Sequence, residues 1–158
     1  MSAPKAAVLT VSDSSAAGSR VDLSGPAVAQ ALQQRFQVVK TEIVADDQQA
    51  ISAALRRLAG EADLVVTTGG TGIAQRDVTP EATRAVCTRL VDGIPERMRA
   101  EGLKRTPFAP LSRGLCGVLG ESLILNLPGS PKGAVDSLNA VLAVLPHAID
   151  LLHGKTGH

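Results

Sequence analysis

Aromatic side chains are scarce in this 158-residue chain, which has two Phe, no Tyr and no Trp. Proteins that recognise single strands or RNA loops usually stack the bases on such side chains. The formal net charge is only +1, whereas a nucleic-acid binder needs many Lys and Arg contacts to phosphates. These two shortages argue against DNA or RNA as a partner.

Long apolar runs and paired cysteines are also lacking. No stretch approaches the 18 or more apolar residues of a membrane span, and residues 1–5 lead into a strand-like run rather than a signal peptide. Cys87 and Cys116 are isolated from each other and from any His, which argues against a metal site or a disulfide framework. We therefore expect a cytoplasmic protein with two free thiols and no membrane partner.

Aliphatic residues, in contrast, are plentiful. Hydrophobic residues make up 44% of the chain and charged residues 20%, so the chain has enough apolar surface to form a core. The length is that of one compact domain, and no linker or repeat divides the sequence. We expect a single domain over residues 1–158.

Short apolar runs alternate with amphipathic stretches along most of the chain. Strands are predicted at residues 6–11, 38–44, 62–67, 115–119 and 123–127. Helices are predicted at residues 27–35, around 51–58, from 79 onward, at 95–104, and from 131 to 152 with a break at Pro146. This alternation predicts an α/β domain with three αβα layers and a mainly parallel sheet, while the hairpin near residue 120 adds mixed pairing at one edge.

Polar or glycine-rich segments follow four of the predicted strands. Ligands of such sheets bind outside the carboxyl ends of the strands, so these segments are predicted to meet at one rim. The candidate residues are Ser12 and Asp13, then Asp46 and Asp47, then Thr68, Gly69, Gly70, Thr71 and Gly72 with Asp77, and finally Pro128, Gly129, Ser130 and Pro131. The three His residues lie in the C-terminal segment and are expected to have no catalytic role.

The glycine loop at residues 68–72 predicts a site for an anion, because N–H groups without neighbouring side chains can approach a ligand oxygen closely. The loop has neither the Lys of a Walker loop nor the spacing of a dinucleotide fold. A tight turn with glycines for steric reasons is the alternative. Ser130 is predicted to cap a helix, which offers a second anion site or only a plain turn.

Asp46 and Asp77 indicate a metal site at the same rim. Each has a structural alternative, because Asp77 could cap local N–H groups and Asp46 or Asp47 could cap the following helix. Together, carboxylates from two loops beside a glycine turn favour a hydrated Mg²⁺ between the protein and substrate phosphates. The scattered Lys and Arg residues, Arg113 among them, could neutralise phosphates, but most are interpreted as solvated surface residues.

Two longer motifs carry a family resemblance. TTGGTG at residues 67–72 and RDVTPEAT at residues 76–83 resemble the signature of the Mog/MoaB family of molybdenum cofactor biosynthesis. Supporting segments at residues 11–13, 22–26, 44–47 and 125–131 extend the resemblance through most of the chain. The resemblance implies the molybdopterin-binding fold, with molybdopterin, a pterin that carries a dithiolene and a terminal phosphate, as the substrate.

The resemblance also implies an activity, because catalytic members of the family use Mg²⁺ and ATP to adenylylate the terminal phosphate of molybdopterin. The two carboxylates of the family match Asp46 and Asp77, although Asp47 is adjacent to the first. We expect these two to be catalytic, with one supporting Mg²⁺ and the other accepting hydrogen bonds from the pterin. The expected substrate contacts are Ser12, Asp13, Thr68, Gly69, Gly70, Thr71, Gly72, Pro128, Gly129 and Ser130. A non-catalytic molybdopterin carrier or scaffold is the alternative, and a regulatory fragment of a larger protein is a third interpretation.

The reaction itself sets what the site must supply. The attacking phosphate is already largely a dianion at neutral pH, since its second pKa is about 6. Two unit charges 4 Å apart repel by about 4 kcal/mol at an effective dielectric near 20, so Mg²⁺ and oriented N–H groups should matter more than a general base. The flat pterin must rest on hydrogen bonds and aliphatic walls, unless Phe36 or Phe108 reaches it.

The resemblance further implies an assembly and a downstream partner. Members of the family form homotrimers, and some MoaB members form hexamers. The product is expected to pass to a molybdate-insertion protein.

Overall fold

The structure, a computed structural model, describes residues 2–155, so His158 lies outside the described residues. Its strands are β1 Lys5–Val11, β2 Gln37–Val44, β3 Leu64–Thr68, β4 Arg89–Leu90, β5 Cys116–Leu119 and β6 Ser122–Leu127. Its α-helices are α1 Asp13–Ala16, α2 Ser24–Leu32, α3 Gln48–Ala59, α4 Thr79–Val86, α5 Gly93–Gly102, α6 Pro131–Val141 and α7 Leu145–Leu152. Two 3₁₀ turns occupy Ala109–Leu111 and Leu142–Val144.

The strands form one sheet in the order β2-β1-β3-β6-β5-β4. The pairs β1–β2, β1–β3 and β3–β6 are parallel, whereas β6–β5 and β5–β4 are antiparallel. Thr68 of β3 lies level with Thr10 of β1 and Leu127 of β6, so these three strands end at the same edge. The predicted mainly parallel sheet with mixed pairing at one side is confirmed.

Helices cover both faces of this sheet. The core on one face contains Leu32 of α2, Met98 of α5 and Leu138 of α6. The core on the other face contains Leu55 of α3 and Val86 of α4. The central strand β3 is buried along its whole length because it is covered on both faces, as its continuous apolar run predicts. The three-layer prediction is therefore confirmed.

Several element boundaries differ from the sequence prediction. Residues 13–16, predicted as loop, form the short helix α1, because the Ser12 hydroxyl accepts a hydrogen bond from the Ser15 N–H (3.2 Å) and starts a helical turn. Strand β4 was not predicted, since two residues are too few to show periodicity. The helix after β6 breaks at the turn 142–144, and Pro146 occupies the second position of α7, where no intrahelical N–H bond is lost.

The helical stretch Pro131–Leu152 could cross a membrane by length and composition alone. Its Leu138, Leu142 and Leu145 are instead buried in the core of the fold. A core helix of a globular protein meets the same criterion, so this stretch gives no indication of a membrane.

The two cysteines are free thiols, as predicted. Cys116 packs into the core beneath α5 and α6, whereas Cys87 contacts the core on the opposite face of the sheet. Burial raises the pKa of the Cys116 thiol to about 12 and that of the Cys87 thiol to about 11. Neither thiol is therefore a nucleophile near neutral pH.

Candidate functional site

Two adjoining cavities open at the carboxyl ends of β1, β3 and β6. Cavity A, of about 470 Å³, extends from the glycine loop toward α5 and the turn 109–111. Cavity B, of about 460 Å³, extends from the same loop toward the end of β1 and the start of α2. The residues that line both cavities are Gly70, Asp77, Gly129 and Ser130. Two ligands bound in A and B would therefore meet at these four residues.

The glycine loop after β3 has a backbone that requires glycine. Gly69 and Gly70 have φ values of +104° and +69°, in the left-handed region that other residues rarely adopt. A Cβ on Gly70 would collide with the Thr79 hydroxyl and lie 3.2 Å from Asp46 Oδ1. Thr79 fixes the loop on α4, because its hydroxyl donates to the Gly69 carbonyl (2.9 Å) and its N–H donates to the Gly70 carbonyl (3.1 Å).

Residues 128–130 lie directly beside the glycine loop, as the predicted rim requires. The Thr68 hydroxyl donates to the Pro128 carbonyl (2.7 Å), and the Gly69 N–H donates to the Leu127 carbonyl (3.1 Å). The Ser130 hydroxyl accepts a hydrogen bond from the Gly133 N–H (3.1 Å), which is the helix cap predicted for α6. Thr71 and Gly72 continue along the wall of cavity A.

A buried amide supports this rim from below. Asn126 of β6 donates from its side-chain nitrogen to the hydroxyls of Thr67 (3.1 Å) and Thr83 (2.9 Å). Its side-chain oxygen accepts the Leu115 N–H (3.0 Å). Asn126 thus ties β3, β6, α4 and the segment before β5 together, a role that no periodic pattern in the sequence indicates.

The neighbours Asp46 and Asp47 have separate positions. Asp46 lines cavity B, whereas the Asp47 carboxylate accepts the Ala50 N–H (2.9 Å) and caps α3. The pKa of Asp46 is raised, first by burial and further by the charges of Asp13 and Asp77, against an opposing hydrogen bond from the Asp13 N–H. Asp46 is therefore the member of the pair that faces a cavity.

Asp77 lines both cavities. It also caps a local N–H group, which is the structural alternative predicted from the sequence. Its Oδ2 accepts the Ala74 N–H at 3.0 Å. The other carboxylate oxygen has no hydrogen bond to the described part of the chain. The structural and the ligand-facing interpretations of Asp77 are compatible, because a carboxylate offers more than one acceptor position.

Ser12 lines cavity B, but the expected substrate contact Asp13 lines neither cavity. The Asp13 carboxylate is held by Arg76, whose Nε lies 2.6 Å from Oδ2 and whose Nη2 lies 3.0 Å from Oδ1. Arg76 also donates to the Asp46 carbonyl (3.1 Å). The Arg76 hydrogen bond is the main cause of the lowered pKa of Asp13.

Arg113 differs from its interpretation as a solvated residue. Its guanidinium donates to the carbonyls of Gly72 (2.8 Å) and Asp77 (2.8 Å) and to both oxygens of Glu81 (2.6 and 3.3 Å). These acceptors lie 32 to 41 residues earlier in the chain, and no local pattern in the sequence indicates such long-range bonds. Arg20, in contrast, lines cavity B, and within residues 2–155 its side chain has no hydrogen-bond or ion-pair partner.

The two Phe residues have different environments. Phe36 is buried in the core and cannot reach a ligand. Phe108 is 71% exposed and lines cavity A. The only aromatic surface at the two cavities within the described residues therefore comes from Phe108.

In residues 2–155 no three His, Cys, Asp or Glu side chains come close enough to enclose a metal ion. The pair Asp46 and Asp77 is close enough for the two charges to interact, and both line cavity B. Mg²⁺ is usually held by one or two carboxylates together with substrate phosphates and water. The pair therefore fits a magnesium ion that arrives with a phosphorylated substrate.

Comparison with known proteins gives a consistent result. Residues 7–147 match the family described as a probable molybdopterin binding domain. A molybdopterin adenylyltransferase of Helicobacter pylori is 44% identical over 153 residues, which cover 94% of this chain and 87% of the relative. A molybdopterin adenylyltransferase of Escherichia coli is 38% identical over 165 residues, which cover 93% of this chain and 84% of the relative.

Solved structures with the same fold have similar names. The crystal structure of MoaB from Thermus thermophilus, described as a molybdopterin biosynthesis enzyme, has a TM-score of 0.90 and 50% identity and covers 96% of this chain and 98% of that one. A molybdopterin biosynthesis Mog protein from Mycobacterium ulcerans has a TM-score of 0.89 and 38% identity, covering 98% and 99% of the two chains.

Proposed function

The chain belongs to the molybdopterin-binding domain family, and from that premise we propose that it is a molybdopterin adenylyltransferase of molybdenum cofactor biosynthesis. One observation of the structure supports this activity most directly: cavities A and B share Gly70, Asp77, Gly129 and Ser130. A transfer reaction needs two ligands whose reacting groups touch, and two cavities that share lining residues allow such contact.

In the proposed reaction, an oxygen of the terminal phosphate of molybdopterin attacks the α-phosphorus of ATP. The new P–O bond forms, the bond to the β-phosphate breaks, and pyrophosphate leaves. The protein's contribution is to align two polyanions and to offset their repulsion, because the nucleophile needs little deprotonation.

Several groups at the junction suit that task. The N–H groups of the glycine loop and of the start of α6 can bind phosphate oxygens. Arg20 adds a cation at the wall of cavity B that has no partner within the described residues. Asp46 and Asp77 would hold Mg²⁺, which supplies charge neutralisation between the phosphates.

The test is an assay with purified protein, molybdopterin, ATP and Mg²⁺. We expect adenylylated molybdopterin and one pyrophosphate per product, and we expect chelation of Mg²⁺ to stop both. Tight molybdopterin binding without any product would instead establish a carrier or scaffold. Failure to bind molybdopterin would contradict both functions.

The proposal also covers the compartment in which the enzyme acts, the assembly of its chains and the protein that receives its product. The enzyme acts in the cytoplasm as a homotrimer, with a hexamer as the alternative assembly, and passes its product to a molybdate-insertion protein. The resemblance of this chain to the Mog/MoaB family supports these points.

A further inference from the structure

We propose that Asp13, Arg76 and Arg113 form an outer layer that positions Asp46 and Asp77, and that neither arginine binds substrate phosphate. The inference rests on the proposed function, since it assigns roles relative to its two carboxylates. It runs against the simplest expectation, because arginines beside a polyanion site are usually phosphate ligands.

The first half of this layer holds Asp46. The N–H of Asp13 donates to Asp46 Oδ2 (2.9 Å), and the N–H of Asp46 donates to Asp13 Oδ1 (2.9 Å). Arg76 closes this reciprocal pair, because it binds both oxygens of the Asp13 carboxylate and the Asp46 carbonyl. Asp46 Oδ1 is left facing Gly70. The loops after β1, β2 and β3 are thus tied at one point behind the cavity.

The second half holds Asp77. Arg113 binds the carbonyls at both ends of the segment 72–77, and Glu81 of α4 holds the far side of the same guanidinium. The Arg113 N–H also donates to the Thr71 carbonyl (2.8 Å). The bonds from Arg113 to residues 71–77 all end on backbone carbonyls, so Arg113 sets where the Asp77 side chain begins rather than contacting its carboxylate.

Position separates these residues from ligand-binding ones, and most of their guanidinium nitrogens are already occupied. Asp46 and Asp77 line the cavities, but Asp13, Arg76 and Arg113 line neither of them. Nε and Nη2 of Arg76, and all three guanidinium nitrogens of Arg113, already donate to protein acceptors. Arg20 has the opposite character, since it lines cavity B and lacks such partners in the described part of the chain.

Stability alone does not account for the place of Arg76 in this layer. Exposed ion pairs contribute little to folding, and the Arg76 side chain is 68% exposed. Residues that orient a metal ligand or a catalytic group, in contrast, typically change activity by about 10- to 100-fold. A variant with much lower turnover but a nearly unchanged melting temperature would therefore identify a residue that positions the carboxylates.

The test compares Arg76→Lys and Arg113→Lys with two other variants. Arg57→Lys alters an exposed Arg–Glu pair between α3 and β2 with the same shortest N···O distance (2.6 Å), and neither of its residues lines a cavity. Arg20→Gln removes the cation at the wall of cavity B. For the two positioning residues we expect kcat to fall about 10- to 100-fold with KM for both substrates within about twofold. For Arg20→Gln we expect KM to rise for the substrate that occupies cavity B, and for Arg57→Lys we expect no change. A raised KM at unchanged kcat for Arg76→Lys or Arg113→Lys would overturn the inference.

A double-mutant cycle tests the link from Arg76 to Asp13. If Arg76 acts through the Asp13 carboxylate, Asp13→Ala and Arg76→Lys each lower kcat and the double variant loses little more than either. If the fold-decreases in kcat of the two single variants multiply in the double variant, the two residues act independently. If Arg113→Lys does not fold, Glu81→Gln weakens the same contact from the side of α4 and takes its place.

A readout independent of turnover separates this inference from the proposed function. The Asp46 backbone amide resonance can be assigned by comparison with Asp46→Asn and compared between variants at one pH in ¹⁵N-labelled protein. The Asp46 N–H donates to the Asp13 carboxylate that Arg76 holds. Arg76→Gln should therefore shift this amide resonance, while Arg57→Gln should not.

The outcomes of this comparison of resonances and of the assay are distinct. A wild-type chain without turnover would refute the enzyme but leave the NMR result standing. An unchanged Asp46 resonance in Arg76→Gln would refute the positioning role of Arg76, whatever the wild-type turnover.

Discussion

At the scale of single residues, Asp46 and Asp47 are adjacent in the sequence but have different roles. Asp46 ends up at the wall of cavity B and Asp47 at the cap of α3. We expect Asp46→Asn to lower turnover by about 100-fold or more, because a neutral amide is a poor magnesium ligand. Asp47→Ala should retain turnover and lose about 1 kcal/mol of stability with the helix cap. Adenylylation rates and urea unfolding of the two variants check this, and equal activity losses would contradict it.

The raised pKa of Asp46 also predicts an effect on stability. The pKa of the Asp46 carboxyl in the folded chain lies above its ordinary value of 3.8. Such a group stabilises the fold fully at pH values below 3.8, and this stabilisation is lost as the pH rises through the folded pKa. Ionised Asp46 therefore destabilises the fold at neutral pH. We expect Asp46→Asn to melt at a higher temperature than the wild type at pH 7, with the difference shrinking toward about pH 3. Calorimetry at both pH values checks this, and a lower melting temperature at pH 7 would be the contrary result.

Gly70 and Gly18 form a matched pair of residues with positive φ, +69° and +77°. A Cβ on Gly18 meets nothing within 4 Å, whereas one on Gly70 meets the Thr79 hydroxyl and Asp46. Gly18→Ala should therefore cost only the backbone strain of about 1–2 kcal/mol and keep activity. Gly70→Ala should cost more stability and abolish turnover, because the loop must move away from α4. Equal unfolding free energies for the two variants would disprove this steric difference.

At the scale of elements, Asn126 decides how β3, β6 and α4 fit together. Its side chain is buried and its hydrogen bonds reach Thr67, Thr83 and the Leu115 N–H. Asn126→Leu keeps the same number of side-chain heavy atoms and the same branching but leaves these groups without their partner, at about 1–3 kcal/mol for each group left unsatisfied. Thr83→Val removes one bond and should cost less. Urea unfolding would contradict this ranking if Asn126→Leu were the milder variant.

At the scale of the whole molecule, the sequence predicts the layers better than the contacts between loops. Continuous apolar runs identified β6 at residues 123–127, within one residue of its start, because burial on both faces leaves no alternation. The order of strands in the sheet, with β1 between β2 and β3, is set by packing between distant elements and has no local signal. For the same reason, the sequence does not predict the hydrogen bonds of Arg113, whose acceptors are 32 to 41 residues away.

The sheet order also leaves β2 at one edge, where its Val39 and Ile43 are 37% and 46% exposed. An apolar edge strand promotes pairing with other chains unless it is covered, and the expected trimer would cover it with a second copy.

We expect light scattering to give about three times the 16.2 kDa of one chain. Ile43→Lys should lower that mass toward a single chain, because it places a charge in the contact. Leu151→Lys, at a residue exposed to 43% on α7, is the matched control and should leave the mass unchanged. A wild-type mass of one chain would contradict the trimer, and an unchanged mass for Ile43→Lys would exclude β2 from the interface.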